Sequence, residues 1–421
     1  MKQTAASVKK LHYAWIVMIG CGIMLVGTQG LFAILAGNFF VPVTDDLGFS
    51  ISSLAAYMTF LSIALALTLF LVGNILSKVN TRILLPGMAA AEILAFGLMS
   101  VYTEPWMWYV SGIVIGIGMA FTSSVTLSTI LTNWFNKKSG MAIGCAWGIS
   151  SVVLACLSPV VPIVIEMIGW RGAYVAMAII AACFALPSTV FLIRFKPADM
   201  GLEPYGYDPN ESDKESASNE NGSGVAARNV LRSSSFVLVI MAGGIFTLTT
   251  FLNGLLPTYA NSVGLSATVG SLMISAAMIA DVVLNPLVGF TCDKVGAIKA
   301  VFVWTLVSMA SYVMLECTAQ SAGLSILAAA VNDVPYALLG VGMASIVREM
   351  YGAKDFGKIF AFIIGISSLI GCFGTWLLST IFEISGGFTA VFVYCIASDI
   401  VFLILLIFAR RSSKKLPVET A

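Results

Sequence analysis

Four carboxylates stand where a carboxylate is costly. Glu92, Asp281, Asp333 and Asp399 each lie inside a long apolar run, and no lysine or arginine lies deep in any such run. An ionisable side chain in that setting needs a hydrogen-bonded neighbour or a charge to carry. Asp281 is the strongest candidate for chemistry. It sits in Ile279-Ala-Asp281-Val-Val-Leu-Asn285-Pro286, so Asn285, four residues on, shares its helix face. A carboxyl at that depth is expected to take up and release a proton in each working cycle; the plainer alternative is a bond between neighbouring helices. Asn332 and Asp333 precede Val334-Pro335, and proline removes a backbone donor and loosens a helix. That pair is a candidate ligand contact or a capped kink. Glu92 and Asp399 are read as hydrogen-bond partners inside the protein. Neutral polar groups complete the candidate set: Gln29, Asn38, Thr122, Thr126, Trp147, Asn253 and Tyr259. Each can equally be glue between helices. Asn253 ranks first, because Thr249-Thr-Phe-Leu-Asn253-Gly254 is a polar patch beside a flexible glycine.

The elements that hold these groups follow from composition. Of 421 residues, 59% are hydrophobic and 10% charged, against about 25% charged in a soluble domain. A water-soluble chain of this length cannot hide that much apolar surface, so the bilayer must be its solvent. A spanning helix needs about 20 mostly apolar residues. That rule gives segments 13–43, 53–76, 83–102, 106–131, 140–167, 171–193, 234–259, 269–290, 300–317, 324–346, 359–382 and 388–409. The first is too long for the apolar core of a signal peptide and no small-residue cleavage site follows it, so it reads as the first span. Between the sixth and seventh spans lies a polar stretch containing EPYGYDPNESDKESASNENGSG. It cannot bury enough apolar area to fold. The expected organisation is a six-helix unit over 1–195, a flexible linker over 196–232 and a second six-helix unit over 233–421.

Basic residues set the orientation. With the N-terminus inside, 21 of the 22 lysines and arginines fall on the inner side, Arg171 being the exception, while Asp45, Asp46, Glu104, Glu166, Glu316 and Glu383 fall outside. Both termini are therefore expected in the cytoplasm, with the chain in the cytoplasmic membrane. The halves also echo each other. Gly73-Asn-Ile-Leu-Ser77-Lys78-Val-Asn80 follows the second span, and Gly289-Phe-Thr-Cys-Asp293-Lys294-Val-Gly296 follows the eighth. Such repeats point to a solute site at the repeat interface.

Other classes are disfavoured. A net charge of +1 gives no case for nucleic acid. The single histidine, His12, precedes the first span, and the eight cysteines are scattered without metal-ligand spacing. No nucleophile–base pair appears, so neither an enzyme nor a cofactor or metal is expected. The expected partners are a small-molecule solute, protons and membrane lipid, with the chain a monomer.

The loop pattern G-x-x-x-D-[RK]-x-G resembles the signature of the major facilitator superfamily, which implies twelve helices in two pseudo-symmetric bundles. The copy at Gly289, Asp293 and Lys294 is intact. The copy at Gly73 and Lys78 has Ser77 for the acid and Asn80 for the glycine. The resemblance makes these residues, with Arg348, a latch that holds one conformation. It also implies that the first, fourth, seventh and tenth spans line the cavity. Four further stretches resemble the monocarboxylate transporter and oxalate–formate antiporter branch: Ala14-Trp15-Ile16-Val17, the run from Trp134 to Gly144, Gly169-Trp170-Arg171, and the run from Lys196 to Gly206. In that branch the eighth span carries an Asp, an Arg four residues on, then Pro. Here Asp281 and Pro286 match, and Asn285 replaces the Arg that would hold the substrate carboxylate. The resemblance implies a secondary transporter of a small organic acid, proton-coupled through Asp281. Export of amphipathic compounds, uptake of a cationic or zwitterionic solute, and a membrane sensor remain as alternatives.

Overall fold

The computed structural model describes residues 12–76, 79–122, 124–136, 139–206, 225–352 and 355–417. It is an all-helical bundle. Helix α1 spans Tyr13–Ile34, α2 Ile51–Leu76, α3 Thr81–Val101 and α4 Pro105–Trp134. After them, α7 covers Ser234–Ser262, α8 Ala267–Val295, α9 Ala297–Thr318, α10 Ala322–Tyr351, α11 Phe356–Ser385 and α12 Phe388–Ser413. Between these groups lie Ser139–Leu157 and a helical stretch from Val160 to Leu192. At ~1.5 Å per residue the second is longer than one span needs. It is two helices in sequence, because Gly169 stands at φ 72°, ψ 165°, a left-handed backbone that glycine adopts without a Cβ penalty. Helix α5 therefore begins at Ser139, is interrupted at Ser158-Pro159 and ends before Gly169, and α6 runs from there to Leu192. Twelve spans result, as hydropathy predicts, and both chain ends emerge on one face, here the terminal face.

Arg171, the basic residue out of line with the others, is accounted for on the far face. Its guanidinium donates to the carbonyls of Ser100 (3.0 Å) and Tyr102 (3.3 Å) at the end of α3 and lies 4.2 Å over the Trp170 ring. Asn80, which replaces glycine in the first loop copy, caps α3 by accepting from the Arg82 amide at 3.0 Å.

The helices nearest the centre are broken. Helix α1 loosens into a π-helical stretch at Val26–Ile34 and a tight turn at Ala36–Phe39 before a last segment at Phe40–Leu47. A tight 3₁₀ stretch, Phe251–Leu255, interrupts α7, and α10 breaks at Asn332-Asp333. Irregular backbone is tolerated at membrane depth where it is buried in protein or lines a cavity.

Hydrogen bonds between the two halves lie toward the far face among the described residues. The Ser52 amide donates to Glu383 Oε1 at 2.8 Å and the Ser52 hydroxyl to Oε2. Ser158 Oγ donates to the Ser271 carbonyl (2.8 Å), Ser275 Oγ to the Ala155 carbonyl (2.7 Å), and Ser271 Oγ to Asn38 Oδ1. Backbones also meet there without side chains between them: a Cβ on Gly37 would lie 1.9 Å from the Gly254 carbonyl oxygen.

The segment between α6 and α7, expected to be a flexible linker, is folded at both of its described ends. Residues 197–200 form a turn, the Tyr205 amide donates to the Trp134 carbonyl at 2.8 Å, and the Tyr205 ring packs on Trp15 and Phe135. Beyond the polar stretch, Val225 and Val230 are buried against the second half. These apolar residues give the ends of the segment a core to join. Residues 207–224 lie outside the described residues.

Candidate functional site

A cavity of about 130 Å³ lies between the halves, room for a small molecule and not for a peptide. Its apolar wall includes Ile34, Phe40 and Met58 from the first half and Phe251, Ile274 and Met278 from the second. Polar groups enter from Gln29 on α1, Trp147, Ser150 and Ser151 on α5, Thr250 and Asn253 on α7, Asp281 on α8, Tyr336 on α10 and Thr375 on α11. Among the described residues, Asp281 is the one charged residue of this wall.

Asn285 lies one turn along α8, and its Nδ2 donates to Asp281 Oδ1 at 2.6 Å and to the Asp281 carbonyl at 3.1 Å. Asp333 stands at the break in α10, where its carbonyl accepts from the Tyr336 amide at 3.0 Å. Its side chain is 1% exposed and faces the Asp281 carboxyl. Asn253 Nδ2 donates to Asp333 Oδ1 at 2.8 Å, Asn332 Nδ2 to Asn253 Oδ1 at 2.7 Å, and Ser311 Oγ to Asn332 Oδ1 at 3.2 Å. Asp333 Oδ2 has no hydrogen-bond partner among the described residues. These are acids and amides named from the sequence, and the break in α10 brings them together. An amide row of this kind fixes a carboxyl's rotamer without neutralising its charge.

Several candidates sit elsewhere. Thr122, expected at the cavity, is fully buried and donates to Glu92 Oε1 at 2.8 Å. It turns toward α3 because that is where an acid needs a donor. Tyr259 is 1% exposed, donates to the Leu315 carbonyl at 2.6 Å and packs on Phe388 and Phe392. Its hydroxyl finds a carbonyl left by the end of α9, away from the cavity. Thr126 and Asn38 are likewise turned to backbone carbonyls. Asn332 is one bond behind the wall. Glu92 and Asp399 do hold internal bonds, Asp399 accepting from Ser308 at 2.7 Å. Among the described residues the wall includes none from α4, because close glycine contacts draw that helix onto its neighbours: Gly112 and Gly116 abut α2, and Gly118 abuts Glu92.

The loop residues of the second copy make no ion pair among the described residues. Asp293 and Lys294 are exposed, with the Lys294 ammonium 5.7 Å over the Phe290 ring. Neither they nor Arg348 forms an ion pair among the described residues. Gly289 sits close to α10, where a Cβ would meet Val341 at 3.4 Å. Gly73 lies within α2, and Lys78 lies outside the described residues. The contact at this end is made by Glu349, which accepts from the Ile298 amide (3.3 Å) and from Arg410 (3.4 Å).

Sequence reasoning missed Tyr336, Ser150, Ser151 and Thr375. Tyr336 was within reach: it lies three residues after Asp333 and so on the same helix face. The two serines had no signal, since a lone hydroxyl in an apolar span carries no mark of the face it occupies.

A model of the Major Facilitator Superfamily matches residues 17–268 and again 238–421. Monocarboxylate transporter 4 of Rattus norvegicus is 23% identical over 281 residues, covering 66% of this chain and 57% of that protein. The MFS-type transporter pynF of Aspergillus niger is 25% identical over 308 residues, covering 72% of this chain and 66% of that one. Each match therefore spans less than two thirds of the relative. The crystal structure of the nucleoside transporter NupG superposes with a TM-score of 0.66 at 12% identity, covering 97% of this chain and 100% of the other, a likeness of fold alone. Twelve spans, a central cavity and a family match over nearly the whole length give one assignment: the chain belongs to the Major Facilitator Superfamily of membrane transporters.

Proposed function

We propose that this protein is a secondary transporter that moves a small monocarboxylic acid together with a proton, by alternating access. Its place is the cytoplasmic membrane, with both termini in the cytoplasm. The far face is then the outside, and the hydrogen bonds at Ser52, Ser158 and Ser275 belong to an inward-facing state. The observation that carries the reading is Asp281, the one charged group on the cavity wall among the described residues. Such a group loads a proton when the cavity opens to an acid side and gives it up on the other. The likeness to monocarboxylate transporters supports an acid as cargo. With Asn285 in place of a base, the substrate is bound through donors such as Gln29, Ser150, Ser151 and Tyr336, and the proton supplies the missing positive charge.

Uptake of radiolabelled lactate into proteoliposomes under an imposed pH gradient tests this. Accumulation should follow the gradient, and Asp281→Asn should lower it at least tenfold. A variant that still responds in full to the gradient sinks the coupling role.

A second reading has its own observation. Two facing carboxyls without a basic residue on the cavity wall suit a cationic amphiphile. Competition between lactate and an amine of matched size separates the two readings: protection by the amine alone favours the cation.

A further inference from the structure

We infer that Asp281 and Asp333 form one site that holds a single proton between them, so that Asp333 belongs to the coupling machinery and is not a contact for substrate. The inference rests on the reading that Asp281 carries the coupling proton, and deepens it. Asp333 faces Asp281, yet it is buried behind the cavity wall at 1% exposure, where a substrate atom does not reach it. One of its oxygens is held by Asn253 at 2.8 Å, and the other has no partner among the described residues. Asp281 shows the same arrangement in mirror form, with Oδ1 held by Asn285 at 2.6 Å. Each amide donates to one carboxyl oxygen of its acid.

Two carboxylates facing each other resist being ionised together without a counter-charge, and none stands on the wall among the described residues. From α10 the titratable neighbour is Tyr336, which lies near both acids. The wall otherwise offers neutral groups: Asn253 from α7, Gln29 from α1 and Trp147 from α5. The counter-charge is therefore a proton. One O–H bond on either acid donates to the oxygen of the other. Loading from the doubly ionised state consumes one proton from solution, and unloading returns it through Asp281, the member that reaches the cavity. Asn332 and Ser311 hold Asn253 and so fix the register of the pair.

The test needs no substrate. Infrared titration of protonated carboxyl groups is measured on the purified full-length protein in lipid nanodiscs. Subtracting the curve of Asp281→Asn/Asp333→Asn isolates the pair. One shared site predicts two steps separated by more than about one pH unit. Each single variant should leave one step, and the two single-variant curves should not add up to the wild-type curve. Additive curves overturn the inference. If Asp333→Asn does not fold, Asn253→Ala replaces it. Freeing the Asp333 rotamer should change the separation of the two steps, and an unchanged separation overturns the inference. The outcome is distinct from that of the transport reading. Additive titration with gradient-driven lactate uptake removes the pair and keeps the transporter. A two-step titration without any response to the gradient does the reverse.

Discussion

Glu92 in the first half and Asp333 in the second are both shut away from water, and they differ in what holds them. Glu92 accepts one bond from Thr122, and its carboxyl is packed against Gly118, with Oε2 unpartnered among the described residues. Among the described residues, the Thr122 hydroxyl otherwise meets only the Gly118 carbonyl of its own helix. Asp333 is one member of a row from Asp281 on the cavity wall through Asn253 and Asn332 to Ser311 on α9. The first arrangement joins two helices and ends there. The second connects a buried acid to the space that opens and closes. A buried charge thus marks function less by its depth than by whether a continuous set of polar contacts leads from it to solvent.

The largest test of this contrast is Asp333→Asn. Gradient-driven lactate accumulation should fall at least tenfold, close to the loss in Asp281→Asn, because both variants empty the same site. Next is Glu92→Gln, which keeps the bond from Thr122. Accumulation should stay within about twofold of wild type, and unfolding free energy should change by about 1 kcal/mol or less. A strong loss of gradient response in that variant breaks the contrast between the halves. The smallest effect is expected at the far face. Glu383→Gln weakens the bridge to Ser52, and spin-label distances across that face should show roughly a twofold rise in the outward-open population, the scale of an exposed charged contact.

Much of the architecture was legible because apolar length is a strong signal. The twelve segments stand, and Gly169 divides α5 from α6 where sequence placed the boundary. The breaks in α1 and α7 were not legible. Neither has a proline at the break itself, and each arises where tertiary packing supplies the backbone with other partners. Within the site, Asp281, Asn285, Asn253, Asn332 and Asp333 were named from sequence because polar groups in apolar spans stand out. Thr122 and Tyr259 were placed on the wrong face for a physical reason. A helix apolar all round has no stripe to set its rotation, so a hydroxyl at known depth still has an unknown direction. The described ends of the linker were not legible by composition, since Tyr205, Val225 and Val230 give them something to bury.

The approach of Gly37 to the Gly254 carbonyl has a bearing on speed. Where two helices mesh through interlocking side chains, parting them means lifting each knob out of its hole, and every such step adds to an activation barrier. Two bare backbones meet as smooth surfaces. At this place no side chain has to be lifted out of a hole for the halves to part, so under the proposed alternating access the contact serves as a bearing. A bulky residue at Gly37 would turn that bearing into a brake.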